Sequence, residues 1–315
     1  MISSLELSRI CGVSQGTVDR ALHDRAGISE KTKRKVLAAA ARHGYRAHPA
    51  ARELLTGERR MIGAIVPGVN SIFFMNLVDA SRVALRDEGY RVFATPVSGE
   101  DEFSDVLDDF AARRARAVFA VPPRDGVAVS AHVARMTTVI SLTNAMRGRG
   151  VHALVPDEVR AGRDAAEYLA SKGHTRLLHL TYARDVTAIR ARARGFAERA
   201  RELGIEATTV RPPDDKRVLE AVWRRGTTAV FCHNDWLALN TIRALEASGR
   251  RVPDDVSVLG VDDTPAFTAI YPDLTTMHYP AEGIARAAKA ILEGGKPTDI
   301  GKLTIVERRT VAPPR

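Results

Sequence analysis

The stretch that most constrains the fold of this chain runs from Leu5 to Leu22 and reads LELSRICGVSQGTVDRAL. It predicts two short helices joined by a tight turn, because Gly12 interrupts the first helix and Ser14 can cap the second with its side-chain oxygen. The apolar residues expected to form a small core here are Leu5, Ile10, Val13, Val18 and Leu22. The polar groups at the start of the second helix would suit the major groove of DNA, although an ordinary surface helical hairpin has the same pattern.

Positive charge is concentrated at the N-terminal end of the chain. Of a net charge of +9 over 315 residues, residues 1–60 contribute twelve Lys and Arg against six Asp and Glu. This asymmetry predicts an anionic partner, with salt-dependent affinity if that partner is nucleic acid. An anionic membrane surface would satisfy the same charge count, but the sequence has no long basic amphipathic helix and no apolar run of spanning length.

The sequence offers little material for catalysis, metal binding or disulfide formation. It has no GxSxG, P-loop or HExxH motif and no Cys/His cluster, so we expect neither an enzyme nor a metal or other cofactor. The two cysteines, Cys11 and Cys232, are far apart and are expected to be small core residues. No secretory signal opens the chain, which predicts a cytoplasmic protein.

Two consecutive motifs carry a resemblance to a known family. The run GVSQGTVDR from Gly12 to Arg20 is followed by ISEKTKRKVLAAAARHGYR, which ends at Arg46. Both resemble the DNA-binding head of the LacI (lactose/galactose repressor) family, and the alignment runs from Leu5 to Leu55 without an insertion. The resemblance implies a helix-turn-helix head at 1–46 that contacts DNA through Ser14, Gln15, Gly16, Thr17, Arg20, Ser29 and Tyr45.

A third helix is expected from Ser29, whose side chain can cap it, to a stop at Gly44. The residues expected to pack it onto the first two helices are Val36, Leu37, Ala40 and Ala41. Asp19 stands where many family members have Ser. Its carboxylate is expected either to point to solvent or to accept a hydrogen bond from a cytosine amino group.

The segment from His48 to Gly57 predicts a short helix with Pro at its first turn and Gly at its end. Such a short helix is marginal in isolation, so it could fold only when docked, which would suit a switch. The resemblance implies a hinge helix at 47–58 that contacts the minor groove through Ala51 and Leu54, with Leu54 wedged between base steps. A plain interdomain linker is the alternative, and Ala47 and His48 depart from the family's common Pro and Asn.

From Met61 onward, short apolar strands alternate with helices. The expected strands are MIGAIV, RVFATPV, RAVFAV, TTVISL, RLLHLT, TAVFCH and VSVLGV, with helices near 72–89, 101–114, 158–173, 188–203, 234–248 and 279–293. This alternation predicts an α/β fold with parallel sheets, and its length favours two lobes. Ligands in such folds bind in the crevice at the carboxyl ends of strands.

The body resembles the effector domain of the same family and the type I periplasmic sugar-binding proteins, through runs such as 190–196, 229–235 and 254–263. The resemblance implies a cleft between one lobe of 59–155 plus 281–305 and another of 156–280 plus 306–315. The implied effector contacts are Asn70, Phe73, Phe74, Arg192, Asn234, Trp236 and Asp262. Thr143 stands where many members carry a ligand-binding Asp, a departure from the usual sugar-hydroxyl pattern.

These features predict a homodimeric, sequence-specific DNA-binding regulator that represses transcription at a near-palindromic operator. A small-molecule effector, a sugar or a derivative, would bind in the cleft and shift the populations of two states that differ in operator affinity. One alternative is a solute-binding protein or sensor with the same two-lobed body, against which the basic head and the missing signal argue. A second is a sugar-modifying enzyme, which no residue supports.

Overall fold

A computed structural model describes residues 2–45, 58–68, 72–182, 186–211, 215–223 and 226–315. The chain divides into two compact units, Met1–Arg59 and Arg60–Arg315. All but the last residue of the predicted hinge helix at 47–58, including Ala51 and Leu54, lies outside the described residues, and so does Asn70.

The N-terminal unit, here called the head, contains three helices: α1 Ser4–Cys11, α2 Gln15–Leu22 and α3 Glu30–Arg42. Their starts are capped by the side chains of Ser3, Ser14 and Ser29. Gly12 ends α1 with a φ of 64°, a left-handed conformation that glycine adopts without the steric cost of a Cβ atom. The predicted turn and cap between α1 and α2 are therefore present.

The head core uses partly different residues from those expected. Its buried members are Leu7, Cys11, Val18, Ala21, Val36 and Ala40, with Val13 and Leu22 half-buried against them. Leu5 and Ile10 are each 47% exposed, so the prediction that they belong to the core is wrong. Leu37 and Ala41 are likewise exposed on α3. The cause is helical phase, because Leu7 and Cys11 lie four residues apart on the inner face of α1 and leave Leu5 and Ile10 outside it.

The second unit, here called the body, contains two parallel sheets. The first has the strand order β2-β1-β3-β4-β5, with β1 Met61–Pro67, β2 Arg91–Val97, β3 Ala117–Ala120, β4 Thr138–Leu142 and β5 Val151–Leu154. The second has the order β7-β6-β8-β9, with β6 Arg176–Leu180, β7 Glu206–Val210, β8 Ala229–Cys232 and β9 Ser257–Leu259. The strands β5 and β7 were not predicted. Each is an edge strand that is only partly buried, so neither has the continuous apolar run of a central parallel strand.

Nine helices surround these sheets in the described part of the body. They are α4 Ile72–Leu85, α5 Glu100–Ala112, α6 Ala131–Met136, α7 Glu158–Ser171, α8 Thr187–Glu202, α9 Asp215–Trp223, α10 Asp235–Ala247, α11 Pro265–Ile270 and α12 Ala281–Leu292. An antiparallel pair, β10 Thr276–His278 and β11 Thr304–Val306, flanks α12 in the chain. The helix α12 packs against α4, so the chain returns to the first sheet after completing the second. The predicted α/β architecture with two parallel sheets is confirmed.

The body core joins the two sheets. One apolar cluster contains Phe119 of β3 together with Phe231 of β8 and Phe196 of α8. Cys11 and Cys232 are both free and buried, which confirms that they are core residues. Across the described ranges, every helix is too short or too polar to cross a bilayer.

Candidate functional site

The N-terminal turn of α2 presents polar groups on an accessible surface. Ser14 Oγ accepts a hydrogen bond from the Thr17 backbone N–H at 3.1 Å, and the two hydroxyls lie 2.9 Å apart. Gln15, Gly16 and Arg20 are exposed. Backbone amides at a helix start attract anions, and exposed amide and guanidinium groups can reach base edges or phosphates. The predicted DNA contacts of α2 are thus accessible together.

The other predicted DNA contacts in the described head lie on α3 and after it. Ser29 caps α3 at the surface, and Tyr45 is half-buried against the head core. The carboxylate of Asp19 has partners within the head. Arg25 Nη1 donates to it at 3.0 Å, and His23 Nδ1 lies 3.0 Å from it.

In the body, polar residues gather beyond the carboxyl ends of β6 and β8. Tyr182 follows β6, while Asn234 follows β8 and caps α10. Tyr182 Oη donates to Asn234 Oδ1 at 2.9 Å, and the Leu237 backbone N–H donates to the same oxygen at 3.0 Å. The carboxyl ends of parallel strands meet at one edge of a sheet, where ligands bind in α/β folds. These two residues lie at the edge of the sheet where the effector crevice was predicted.

Arg192 lies on α8, next to the end of β8, and is 3% exposed. Its Nε and Nη2 donate to Glu158 Oε2 at 2.8 and 2.6 Å, and its Nη1 donates to the His233 carbonyl oxygen. The guanidinium thus joins the start of α7 to the end of β8. Because both charges are buried, removing one partner would leave the other uncompensated at high energetic cost.

The crevice is rich in acidic groups. Burial raises the pKa of the Glu158 carboxyl, although the Arg192 guanidinium opposes this rise. Burial and, second, the nearby Asp235 carboxylate raise the pKa of Asp262 well above its usual range. Burial likewise raises the pKa of Asp235 to about 7, even though its carboxylate accepts from Thr276 Oγ1 at 2.5 Å. Groups of this kind gain most from a ligand that donates hydrogen bonds to them.

Aromatic side chains lie next to this charged group. The rings of Phe73 and Phe74, at the start of α4, have centroids 5.0 Å apart, and Phe73 lies 4.8 Å from the ring of Tyr279. Burial raises the pKa of the Tyr279 hydroxyl, and the charges of Glu158 and Arg192 act on it as well. Tyr279 therefore lies between the two phenylalanines and the charged group.

Trp236, a predicted effector contact, and Asp263, the neighbour of Asp262, have other surroundings. Trp236 is 55% exposed, and its ring centroid lies 6.2 Å from that of Phe267 on α11. Asp263 accepts from Arg308 Nη2 at 2.7 Å and is 3.2 Å from His278 Nδ1. Asp262, in contrast, is buried and has an electrostatic interaction with Arg192.

Glu158 and Tyr279 were missed by reasoning from the sequence. Glu158 is 34 residues from Arg192 in the chain, and it reads as an ordinary acidic residue in the first turn of a helix. The glycines of α7 and α8 bring it close. A Cβ atom on Gly195 would lie 1.9 Å from the Val159 carbonyl oxygen, and one on Gly162 would lie 2.1 Å from the Arg192 carbonyl oxygen. The pair Gly162 and Gly195 was the only available signal, and it does not by itself identify Glu158.

Comparison with known proteins gives matches to both units. Residues 6–48 match the family model of the bacterial regulatory proteins, lacI family, and residues 166–311 match a periplasmic binding protein-like domain. The HTH-type transcriptional regulator MalR of Streptomyces coelicolor is 30% identical, over 93% of this chain and 90% of its own length. The HTH-type transcriptional regulator GalR of Escherichia coli is 25% identical, over 100% of this chain and 97% of its own.

Solved structures show the same fold. A lac repressor dimer bound to operator and the anti-inducer ONPF superposes with a TM-score of 0.84 at 21% identity, covering 99% of both chains. A complex of the transcriptional regulator CelR with cellobiose superposes with a TM-score of 0.65 at 21% identity, over 99% of this chain and 100% of the other.

Proposed function

Because the chain belongs to the lacI family of bacterial regulatory proteins, we propose that it is a DNA-binding transcriptional regulator whose operator affinity is switched by a small molecule bound in the body. The observation that carries this function is the accessible start of α2 within a head that matches the family over residues 6–48. Gln15 and Arg20 supply donors suited to base edges, and Ser14, Gly16 and Thr17 supply a polar helix start suited to phosphates. We assign repression as the mode of control.

We place the boundaries of the chain at a head of 1–46, a hinge of 47–58 and a body of 59–315. The lobes of the body are 59–155 plus 281–305, and 156–280 plus 306–315. The packing of α12 against α4 supports the return of the chain to the first lobe. A regulator of this kind acts on the chromosome, so we assign it to the cytoplasm.

A homodimer is the assembly that suits a near-palindromic operator, because two identical heads then read two related half-sites. Exposed apolar side chains on the first lobe support self-association. Val83 of α4 is 51% exposed, and Phe93 is 54% exposed on β2, an edge strand. Met75 is a further exposed apolar residue on α4. Exposed apolar groups on an edge strand favour contact with another chain.

We assign the effector site to Phe73, Phe74, Arg192, Asn234 and Asp262, and we propose a sugar or a sugar derivative as the effector. Arg192 and Asp262 supply hydrogen-bond donors and an acceptor in a buried setting, and Phe73 supplies an aromatic ring nearby. An effector that binds one arrangement of the lobes more tightly than the other shifts the equilibrium between them and so changes operator affinity. The shift is limited by the difference between the effector's binding free energies for the two arrangements.

The first experiment is selection of duplexes from a random DNA library by the full-length protein, followed by gel shifts with the enriched sequence. We expect a near-palindromic site whose binding weakens as salt increases. Failure to enrich any sequence would contradict the function.

The second experiment tests the effector site with Arg192→Ala. This variant alone leaves Glu158 buried without its partner, so it is compared with the double variant Glu158→Gln/Arg192→Ala, which removes both charges. We expect the double variant to bind the selected DNA as the native protein does but to lose its response to effector. A retained response would contradict the assignment of Arg192.

A further inference from the structure

The charge balance around Arg192 bears on which effectors the site can accept. In the described part of the crevice, Arg192 contacts the carboxyl group of Glu158 and interacts electrostatically with that of Asp262, which in turn interacts with that of Asp235. The neighbouring cations are engaged elsewhere. Arg190 Nη2 donates to Asp125 at 2.7 Å, and Arg308 Nη2 donates to Asp263 at 2.7 Å. Glu158 is therefore the acidic group that contacts this buried guanidinium directly.

Glu158 also occupies the donors with which Arg192 would bind an anion. A guanidinium binds a carboxylate or a phosphate best through two parallel N–H groups of its fork. Here Nε and Nη2 both donate to one oxygen of Glu158, at 2.8 and 2.6 Å, and Nη1 donates to a backbone carbonyl. The edge of Arg192 that carries Nε and Nη2 is thus already bound to an internal carboxylate.

Uncharged polar groups are also available in the body. Four buried hydroxyls at or near the carboxyl ends of strands have no hydrogen-bond partner among the residues that the structure describes: Thr143, Thr181, Thr264 and Tyr279. Hydroxyls both donate and accept, so they match ligand hydroxyls. A ligand hydroxyl can also form a hydrogen bond with the buried carboxyl group of Asp262, whereas a phosphate or carboxylate would lose its water on entering the crevice and meet Arg192 donors already bound to Glu158.

We propose that Glu158 is a specificity-determining residue that neutralises Arg192 internally and so restricts the site to uncharged, hydroxyl-rich effectors, excluding phosphorylated and carboxylated ones. The proposal deepens the function given above and rests on the assignment of this crevice as the effector site. It makes the exclusion of anions a property of one side chain.

Glu158→Gln tests the proposal with sulfate as the anion probe. Gln keeps the shape of Glu and one acceptor oxygen but removes the charge, which frees Arg192 to bind an oxyanion. We measure melting temperature and calorimetric binding in sodium sulfate against sodium chloride at matched ionic strength. We expect Glu158→Gln to bind sulfate at least about tenfold more tightly than the native protein, as one charge-assisted hydrogen bond would give.

Two variants control this measurement. Asp157→Asn removes a carboxylate from the adjacent, exposed cap of α7 and should leave sulfate binding at the native level. Glu158→Gln/Arg192→Gln should lose the gain, because the cation is gone. Equal sulfate binding by the native protein and Glu158→Gln, or an equal gain in Asp157→Asn, would overturn the proposal.

A screen of the native protein gives an independent test that needs no variant. Matched pairs are compared by thermal shift: glucose with glucose 6-phosphate and gluconate, and ribose with ribose 5-phosphate. We expect no anionic member to stabilise the protein beyond its uncharged partner, and the reverse result would overturn the proposal. The random-DNA selection distinguishes failure of this proposal from failure of the proposed function. If the protein enriches a DNA sequence but binds anionic ligands more tightly, the DNA-binding function stands and only the specificity role of Glu158 is refuted.

Discussion

Gly195→Ala should destabilise the body strongly, although alanine is the better helix former. Gly195 lies where α8 approaches α7, and an added Cβ would be 1.9 Å from the Val159 carbonyl oxygen and 2.8 Å from its carbonyl carbon. These are backbone atoms, which cannot rotate away as a side chain can. The two helices must therefore separate by about 1 Å or more to restore ordinary contact.

The magnitude follows from what lies beside this contact. Overpacking of this kind costs about 1–3 kcal/mol. Glu158 precedes Val159, and Arg192 is one turn before Gly195, so the same separation stretches hydrogen bonds of 2.6 and 2.8 Å beyond their normal range. Weakening these bonds adds about 2 kcal/mol, and the greater helix propensity of alanine returns about 1 kcal/mol. We expect a net loss of about 3 kcal/mol in the free energy of unfolding.

Urea unfolding of the full-length protein measures this loss. The two tryptophans, Trp223 and Trp236, both belong to the body, so fluorescence follows its transition. Gly99→Ala is the matched control, because Gly99 has extended backbone and no atom within 4 Å of an added Cβ. Because Gly99 is also the N-cap of α5, where alanine is less favourable, the control should lose no more than about 1 kcal/mol. A Gly195→Ala protein as stable as this control would refute the argument from close helix contact.

Three further perturbations test other parts of the structure. Arg20→Ala should weaken binding to the selected DNA and reduce the slope of log affinity against log salt by about 1, since one exposed cation is removed; an unchanged affinity in gel shifts would exclude a contact. Phe93→Glu should raise the dimer dissociation constant at least about tenfold in analytical ultracentrifugation, because it places a charge on the exposed edge strand, while Leu203→Glu, at another exposed apolar residue, should leave it unchanged. His179 stacks on Phe231 at 4.9 Å, and burial lowers its pKa to about 3 from an ordinary 6.5. Its neutral form stabilises the fold fully above pH 6.5, and this stability is lost as pH falls toward 3, because the unfolded chain then binds a proton that the native one does not. Between pH 7 and pH 5, the free energy of unfolding measured by urea titration should fall by about 2 kcal/mol more in the native protein than in His179→Phe. Equal decreases in the two proteins would show that the imidazole is not the cause.

Much of the fold follows from local patterns, which a single sequence contains in full. The cap at Ser14, the turn at Gly12 and the apolar runs of central strands each depend on residues a few positions apart. The predicted start of α2 and the parallel strands β1, β3, β6 and β8 were therefore found. Edge strands β5 and β7 were missed, because partial burial removes the continuous apolar signal on which the prediction relied.

The candidate effector site shows where local reasoning ends. Arg192 and Asp262 were predicted through the resemblance, and the structure brings them near each other. Trp236 was also predicted as an effector contact. It is exposed beside Phe267, whereas the adjacent Asp235 is buried, because neighbouring residues on a helix point in different directions.

The sequence by itself determined that a basic helix-turn-helix head precedes a two-sheet α/β body, since capping, charge and hydrophobic period are properties of short segments. Only the tertiary structure decided that Glu158 holds Arg192 and that Tyr279 lies beside the pair. Those neighbours come from distant parts of the chain. Glu158 reaches Arg192 because Gly162 and Gly195 allow the backbones of α7 and α8 to come into direct contact. A pattern within a short segment of sequence does not reveal such a contact between two helices.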